Sequence, residues 1–443
     1  MMNDAPSKRS LYDISEHTKK RNAAEGRFRL YGIFAISVGL LMLLVLVTTI
    51  VFRGTSAFQQ TFITLEVELL EKKLDKKGNR NIDDIKKVST FGYTPLLARA
   101  MQAKLSENGI ETDLKKKALS GMISKSAAAQ MRDYVLADPS VIGTTVEFRF
   151  LTNGWIDGYL KGRYTRESVE NSKFASAAQF DLTDKLTAIG VIEKKFNLDF
   201  ILGADSSDQR PESAGIGVAM VGSLYLMLVV LLLSLPMGVA AYIYLEEFAK
   251  QNIVTDIIEI TISYLAAVPS IVFGILGLAV FINYVELPQS TPIVGGLVLT
   301  LMTIPTIIIS TRAALKSVPP NIRSAALGLG ASKMQTVFHH VLPLAAPGIL
   351  TGTIIGMAQA LGESAPLLLI GMIGYIATNM PGSVAEGLFS PNSAMPAQIY
   401  EWAKRADPAF IERAWGGIII LLVFLLTMNT LAVILRRRFE RRW

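Results

Sequence analysis

Apolar residues are gathered into long blocks with little polar interruption. No Asp, Glu, Lys or Arg occurs between Arg29 and Arg53, Glu212 and Glu246, Glu259 and Glu286, Glu286 and Arg312, Glu363 and Glu386, or Arg413 and Arg436. Each block exceeds the roughly 20 apolar residues with which a helix crosses the hydrocarbon core. The pattern predicts six spans, at about 31–52, 215–244, 259–284, 292–311, 347–377 and 415–436. Pro269 and Pro305 fall inside the third and fourth, where each can supply a kink. Between the first two spans the period changes. Residues 68–88 read as a strongly solvated helix, Thr145–Thr152 alternate as a strand, and Asn153-Gly154 predicts a hairpin turn before residues 155–162. The expected fold is an all-α polytopic membrane protein with six transmembrane helices, plus an α+β domain over 53–212.

Composition agrees. The 443 residues are 51% hydrophobic and only 18% charged, beyond what a soluble chain usually carries. The net charge of +7 gathers in tails and loops with little aromatic interleaving, which points to membrane topology and away from nucleic acid. Basic tails at 1–30 (Lys8, Arg9, Lys19, Lys20, Arg21, Arg27, Arg29) and 437–443 (Arg437, Arg438, Arg441, Arg442, after Arg436) place both termini in the cytoplasm by positive-inside bias. An even number of spans then puts the 312–346 loop inside and 53–212 outside. The first span reads as an uncleaved signal anchor, with an apolar run longer than an ordinary signal peptide. The chain has no cysteine, which removes disulfides and thiol chemistry. Asp75, Asn79, Asn81 and Asp83 are interrupted by Lys76, Lys77 and Arg80 and read as a charged face rather than a calcium loop. His17, His339 and His340 lack metal-ligand spacing, and no catalytic constellation or metal site is expected.

The 312–346 loop interrupts the apolar blocks with two short amphipathic helices. Ile322, Ala325, Ala326 and Leu329 share one helix face, and Gly330 is a natural left-handed stop. Ser332 with Gln335 reads as a capping box for a second helix, which Pro343 and Pro347 are expected to end. By pattern alone this is an amphipathic hairpin at the membrane surface. Its spacing resembles the conserved cytoplasmic loop of binding-protein-dependent ABC importer permeases: Ala325, Ala326, Gly330 and Leu342-Pro343 fit, Ser324 stands where a glutamate is usual, and His340 replaces an aliphatic residue. The resemblance implies a type I importer permease fold in which Ser324, Ala325, Ala326, Gly330, Ala331, Ser332, Phe338, Leu342 and Pro343 belong to an ATPase-coupling loop. The chain has no G-x-x-x-x-G-K-[ST] phosphate loop. ATP and Mg are therefore expected on a partner ATPase dimer, with no cofactor on this chain and no enzyme activity of its own.

Residues 264–278 (YLAAVPSIVFGILGL), 304–320 (IPTIIISTRAALKSVPP) and 361–368 (LGESAPLL), with Gln398-Ile399-Tyr400 and Trp402-Ala403, resemble the phosphate-specific permeases of the A type over about 213–436. That resemblance implies phosphate import across the bacterial inner membrane, a second homologous permease as heterodimer partner, and an extracytoplasmic phosphate-binding protein. Another oxyanion such as molybdate or sulfate is the alternative; a membrane-anchored sensor or scaffold built on 53–212 is a more distant one.

In the fifth span Glu363 lies at membrane depth, where a carboxylate costs at least roughly 2.5 kcal/mol. Gly348, Gly352, Gly356, Ala360 and Ser364 form a small-residue stripe for helix packing. Gln359 and Glu363 are expected side by side at i and i+4. Two readings of Glu363 fit: a structural carboxylate bonded to a neighbouring helix, or, with Gln359 and Ser364, part of a translocation path or gate. In the resembling family the position of Gln359 is often arginine.

Overall fold

The computed structural model describes residues 16–169, 175–372 and 380–439. Expectations placed on Lys8, Arg9, Arg441, Arg442 and 373–377 lie outside the described residues. Residues up to Arg53 form one unit and Gly54 onward another. The first is the helix α1 (Glu16–Gly54, 39 residues), roughly 60 Å long at 1.5 Å per residue, enough to cross a bilayer and continue beyond it.

The second unit opens with a sheet. β1 (Gln59–Glu68) lies between β2 (Thr145–Leu151) and β3 (Ile192–Phe196), antiparallel to both. Ile63, Leu65 and Val67 point to one face and are fully buried, with Phe150 and Phe148 opposite the first two. Each such aliphatic side chain contributes roughly 1.5–3 kcal/mol by leaving water. The helices α2 (Thr94–Glu107), α3 (Ala127–Ala137), α4 (Gly154–Leu160) and α5 (Ala177–Ala188) supply Leu97, Met101, Met131, Ile156 and Phe180 to the same core.

Two local expectations for this region are corrected. Asn153-Gly154 makes no hairpin: the Asn153 side chain accepts the Trp155 N–H at 3.0 Å and caps α4. An Asn before a helix-compatible run serves a cap as readily as a turn, and β2 pairs with a strand far upstream. Residues 68–88 are not one solvated helix but two single turns, Glu71–Leu74 and Ile82–Ile85, with Leu69, Leu74 and Ile85 buried. The Asp75 carboxylate accepts the Lys77 and Arg80 N–H groups at 3.3 and 2.6 Å, so it organises a turn.

Among the described residues, five helices are long and apolar enough to cross a membrane, and a bent pair could serve as a sixth. After α1 come α6 (Gly217–Ile243), the pair α7 (Ile253–Leu265) and α8 (Ser270–Gly277), α9 (Pro292–Lys316), α10 (Pro320–Gly328), α11 (Lys333–Gln335), α12 (Leu342–Gly362), α13 (Ala365–Leu369), α14 (Met395–Lys404) and α15 (Pro408–Phe439). The third expected span is not a continuous helix. α7 and the α8 segment, which a π-helical turn extends to Tyr284, meet at 100°. Pro269 at the junction has no N–H to continue the ladder and biases Val268 away from helical backbone.

A buried ionic junction fastens the sheet region to the start of α15. Asp157 of α4 accepts from the Thr61 backbone N–H and hydroxyl and from Arg163, and pairs with Lys161 at 2.9 Å. Lys161 also reaches Glu412 at 2.8 Å, and Arg163 pairs with the same carboxylate. Arg413 donates to the Ala57 carbonyl (3.0 Å), Gln60 (2.6 Å) and the Glu212 carbonyl (3.0 Å). Burial raises the Asp157 pKa, but Lys161 and Arg163 outweigh it and hold the carboxyl below its ordinary range. Burial pushes Lys161 down to about 8 against the pull of Asp157, and it raises Glu212, whose carboxylate accepts the Ser124 hydroxyl.

Candidate coupling hairpin and the membrane carboxylate

The hairpin is built by local rules. α10 starts after Pro319 and stops where Gly330 takes a φ of +87°, a conformation that costs glycine little. Ser332 and Gln335 form the reciprocal capping box, Ser332 N–H to Gln335 Oε1 at 2.9 Å and Gln335 N–H to Ser332 Oγ at 3.2 Å. Residues 336–341 then continue as a π-helical segment directly into α12. Pro343 and Pro347 therefore do not end the second arm: Lys333–Gly362 forms one apolar helix. Pro343 cannot serve the carbonyl one turn earlier and crowds it; the wider π turn just upstream falls at the place where that register has to relax.

The faces of the hairpin divide. Val337 and Val341 are buried in a cluster with Tyr242, Ile243, Leu315 and Val318, and Ala326 is buried on the first arm. Ser324, Ala325, Gly330 and Ser332 are exposed and Ala331, Leu342 and Pro343 half-buried. The Ser324 hydroxyl turns back to the Pro320 carbonyl at 3.3 Å. Leu329 is 90% exposed, and Leu327, Met334 and Phe338 are exposed with it. Large apolar side chains thus stand free on the tip and outer side.

The fifth expected span breaks after Gly362. α12 ends at Gly362, Glu363 has extended backbone (φ −82°, ψ 120°), and α13 resumes at Ala365. Glu363 is accordingly not in mid-helix, and Gln359 and Glu363 do not share a helical edge. Pro366 accounts for the break, since it has no N–H for the carbonyl of Gly362. Glu363 and Ser364 are half-buried and Gln359 exposed, and the Glu363 carboxylate has neither hydrogen bond nor ion pair among the described residues. Gly348, Gly352 and Gly356 face α9: a Cβ at Gly348 would lie 2.7 Å from that of Ala314, at Gly352 2.1 Å from that of Ser310, and at Gly356 3.1 Å from Thr303. Gln398, Ile399 and Trp402 are buried on α14, where the Trp402 indole donates to Asp205 at 2.7 Å.

Residues 234–443 match the family of binding-protein-dependent transport system inner membrane components, and residues 15–170 match a domain of unknown function, DUF3333. The phosphate transport system permease protein PstA 1 of Mycobacterium tuberculosis is 30% identical over 52% of this chain and 73% of its own length. The chain belongs to the PstA-type ABC importer permeases. A probable ABC transporter permease, YqgI of Bacillus subtilis, is 34% identical over 40% of this chain; that alignment spans only 60% of the relative. A solved methionine ABC transporter in its inward-facing state aligns over 51% of this chain and 95% of its own at 17% identity, with a TM-score of 0.38, too loose to bear on the fold. As a member of this family the chain is a transmembrane permease subunit and not an enzyme, and its DUF3333 region is additional to the permease part.

Arg323 is a functional candidate that only the fold brings out. Its signal is its place next to Ser324 at the head of the hairpin, but the partner that gives it meaning, Glu247, lies far upstream.

Proposed function

We propose that the chain is a membrane-spanning half of an ATP-driven phosphate importer in the bacterial inner membrane. In this reading both termini are cytoplasmic, and the region between α1 and α6 faces outward beside a phosphate-binding protein. A second homologous permease completes the pore, and an ATPase dimer carrying ATP and Mg docks on the 324–342 hairpin. The observation that carries the coupling role is the capped hairpin itself, which presents exposed Leu327, Leu329, Met334 and Phe338 while its inner face is packed into the bundle. Phosphate as cargo is supported by the PstA relative.

Among the described residues no donor reaches the Glu363 carboxylate at this unwound point, which suits a gate better than a structural anchor, because a packing carboxylate would have found one. Gln359 and Ser364 flank it on the proposed path. The described midsections of the spans offer no Arg or Lys to hold phosphate, so tight binding belongs to the separate binding protein.

Because the chain has no cysteine, Leu329→Cys supplies a unique thiol. Cross-linking it to the co-purified ATPase, together with phosphate-stimulated ATP hydrolysis, tests the assignment. Stimulation by molybdate or sulfate but not phosphate would change the cargo. Absence of any ATPase partner would remove the transporter reading.

A further inference from the structure

Both arms of the hairpin meet the same short segment, Tyr244–Phe248, the π-helical end of α6. Arg323, early in α10, donates Nε to Glu247 Oε1 at 3.0 Å, and a terminal guanidinium nitrogen lies 2.9 Å from the same oxygen. Its remaining bonds go to the Val318 and Leu315 carbonyls, both at 3.0 Å. These acceptors lie in the last turn of α9 and just beyond it, where a helix leaves its last carbonyls without intrahelical partners. One planar group thus ties α10 to α6 and α9, a task that suits the fixed fork of arginine and not the single point of a lysine. From the second arm, Lys333 Nζ lies 5.6 Å from the Phe248 ring centroid. The Arg323–Glu247 side chains are only 23% and 10% exposed, so this is not the weak, screened pair of an open surface. Close by, Glu246 accepts the Tyr242 hydroxyl at 2.6 Å and lies 3.8 Å from Lys316, and Arg312 pairs with Glu259 at 3.1 Å.

We propose that Arg323 is a positioning residue for coupling: through Glu247 and the α9 carbonyls it makes the hairpin, α6 and α9 move as one body when the ATPase displaces the hairpin. Displacement then reaches the bundle through this strut as well as through the covalent continuations of the hairpin into α9 and α12. This rests on the reading of 324–342 as the ATPase-coupling hairpin.

The test uses the assembled transporter in proteoliposomes and reads radiolabelled inorganic phosphate imported per ATP hydrolysed. Arg323→Glu lowers that ratio about tenfold, near the upper range of single-residue effects on coupling, while the ATPase still co-purifies. Arg323→Lys, which keeps the charge and loses the fork, falls between. Reversing both charges, Arg323→Glu with Glu247→Arg, restores the tie to α6 but leaves the Leu315 and Val318 carbonyls without their donor, so it recovers part of the Arg323→Glu loss. A wild-type ratio in Arg323→Glu, or no recovery in the double reversal, overturns the proposal.

Should Arg323→Glu fail to assemble, Glu247→Cys/Arg323→Cys bridged by a short thiol cross-linker replaces the strut. Uptake that rises on bridging supports one moving body; uptake that is unchanged or abolished overturns it. Leu329→Cys separates the two layers. No adduct with the ATPase removes the coupling reading itself, whereas an adduct with unaltered stoichiometry in Arg323→Glu removes only the role of Arg323.

Discussion

Glu363 and Lys161 show how differently two ionisable groups can be held. Glu363 stands half-buried at a break in a span with no donor among the described residues, whereas Lys161 is enclosed between the Asp157 and Glu412 carboxylates. Replacing Glu363 by Gln keeps the shape and removes the charge. The expected result is an assembled complex whose phosphate uptake is strongly impaired; unaltered uptake would take the residue out of the path. For Lys161 the sign follows from burial, which places the folded pKa at about 8, below the roughly 10.4 of an unfolded lysine. The folded state therefore binds fewer protons between these values. The contribution of this lysine to stability rises as pH climbs from about 8 toward 10 and is lost as pH falls through 8. Thermal unfolding of detergent-solubilised protein across that range should show the slope, and Lys161→Met should flatten it. The sequence marks Glu363 as costly because it sits in an apolar block. Nothing in sequence marks Lys161, whose partners come from a neighbouring turn and from a helix at the other end of the chain.

Among elements, the hairpin is the part whose form is written most locally. Gly330, Ser332 and Gln335 act within a few positions of one another, so stop, cap and start are visible in the residue order. Ser332→Ala removes the Oγ acceptor of the capping box and should cost about 1 kcal/mol of local stability. The hairpin amides should then exchange faster by hydrogen–deuterium exchange while the α6 and α9 amides hold. Equal loosening throughout would mean that the cap is not confined to the hairpin. Where the same kind of reasoning failed, a local signal had two outcomes. Asn153 can turn a strand or cap a helix, and the choice went to the helix because β2 already had its partner in β1. The third and fifth spans broke for a related reason. Hydropathy registers an apolar block as continuous whether or not Pro269 or Pro366 lets the helix ladder run through it.

For the whole molecule, the ionic junction makes the DUF3333-containing region more than an appendage. Glu412 and Arg413 of α15 are buried against groups from the sheet region, and a buried charge stripped of its partner costs roughly 3–5 kcal/mol. Excising 59–197 should therefore lower the yield of folded permease. Neutralising Glu412 and Arg413, as Gln and Met, in the same deletion should recover part of that yield, measured as monodisperse protein after solubilisation. If the plain deletion folds as well as the full chain, the junction is dispensable to the bundle.

Residue order alone sets the apolar blocks and the capped hairpin, because these depend on neighbours within a few turns. Helix packing at Gly348, Gly352 and Gly356 was also legible as a stripe, though only the fold shows Ala314, Ser310 and Thr303 opposite it. Tertiary structure decided what lies across long separations: the pairing of β1 with β2 and β3, the approach of Thr61 to Asp157 and of Glu412 to Lys161 and Arg163, and the reach of Arg323 to Glu247. A charge has no assigned partner until the chain closes on itself. Its worth then depends on how far that closure removes the pair from water.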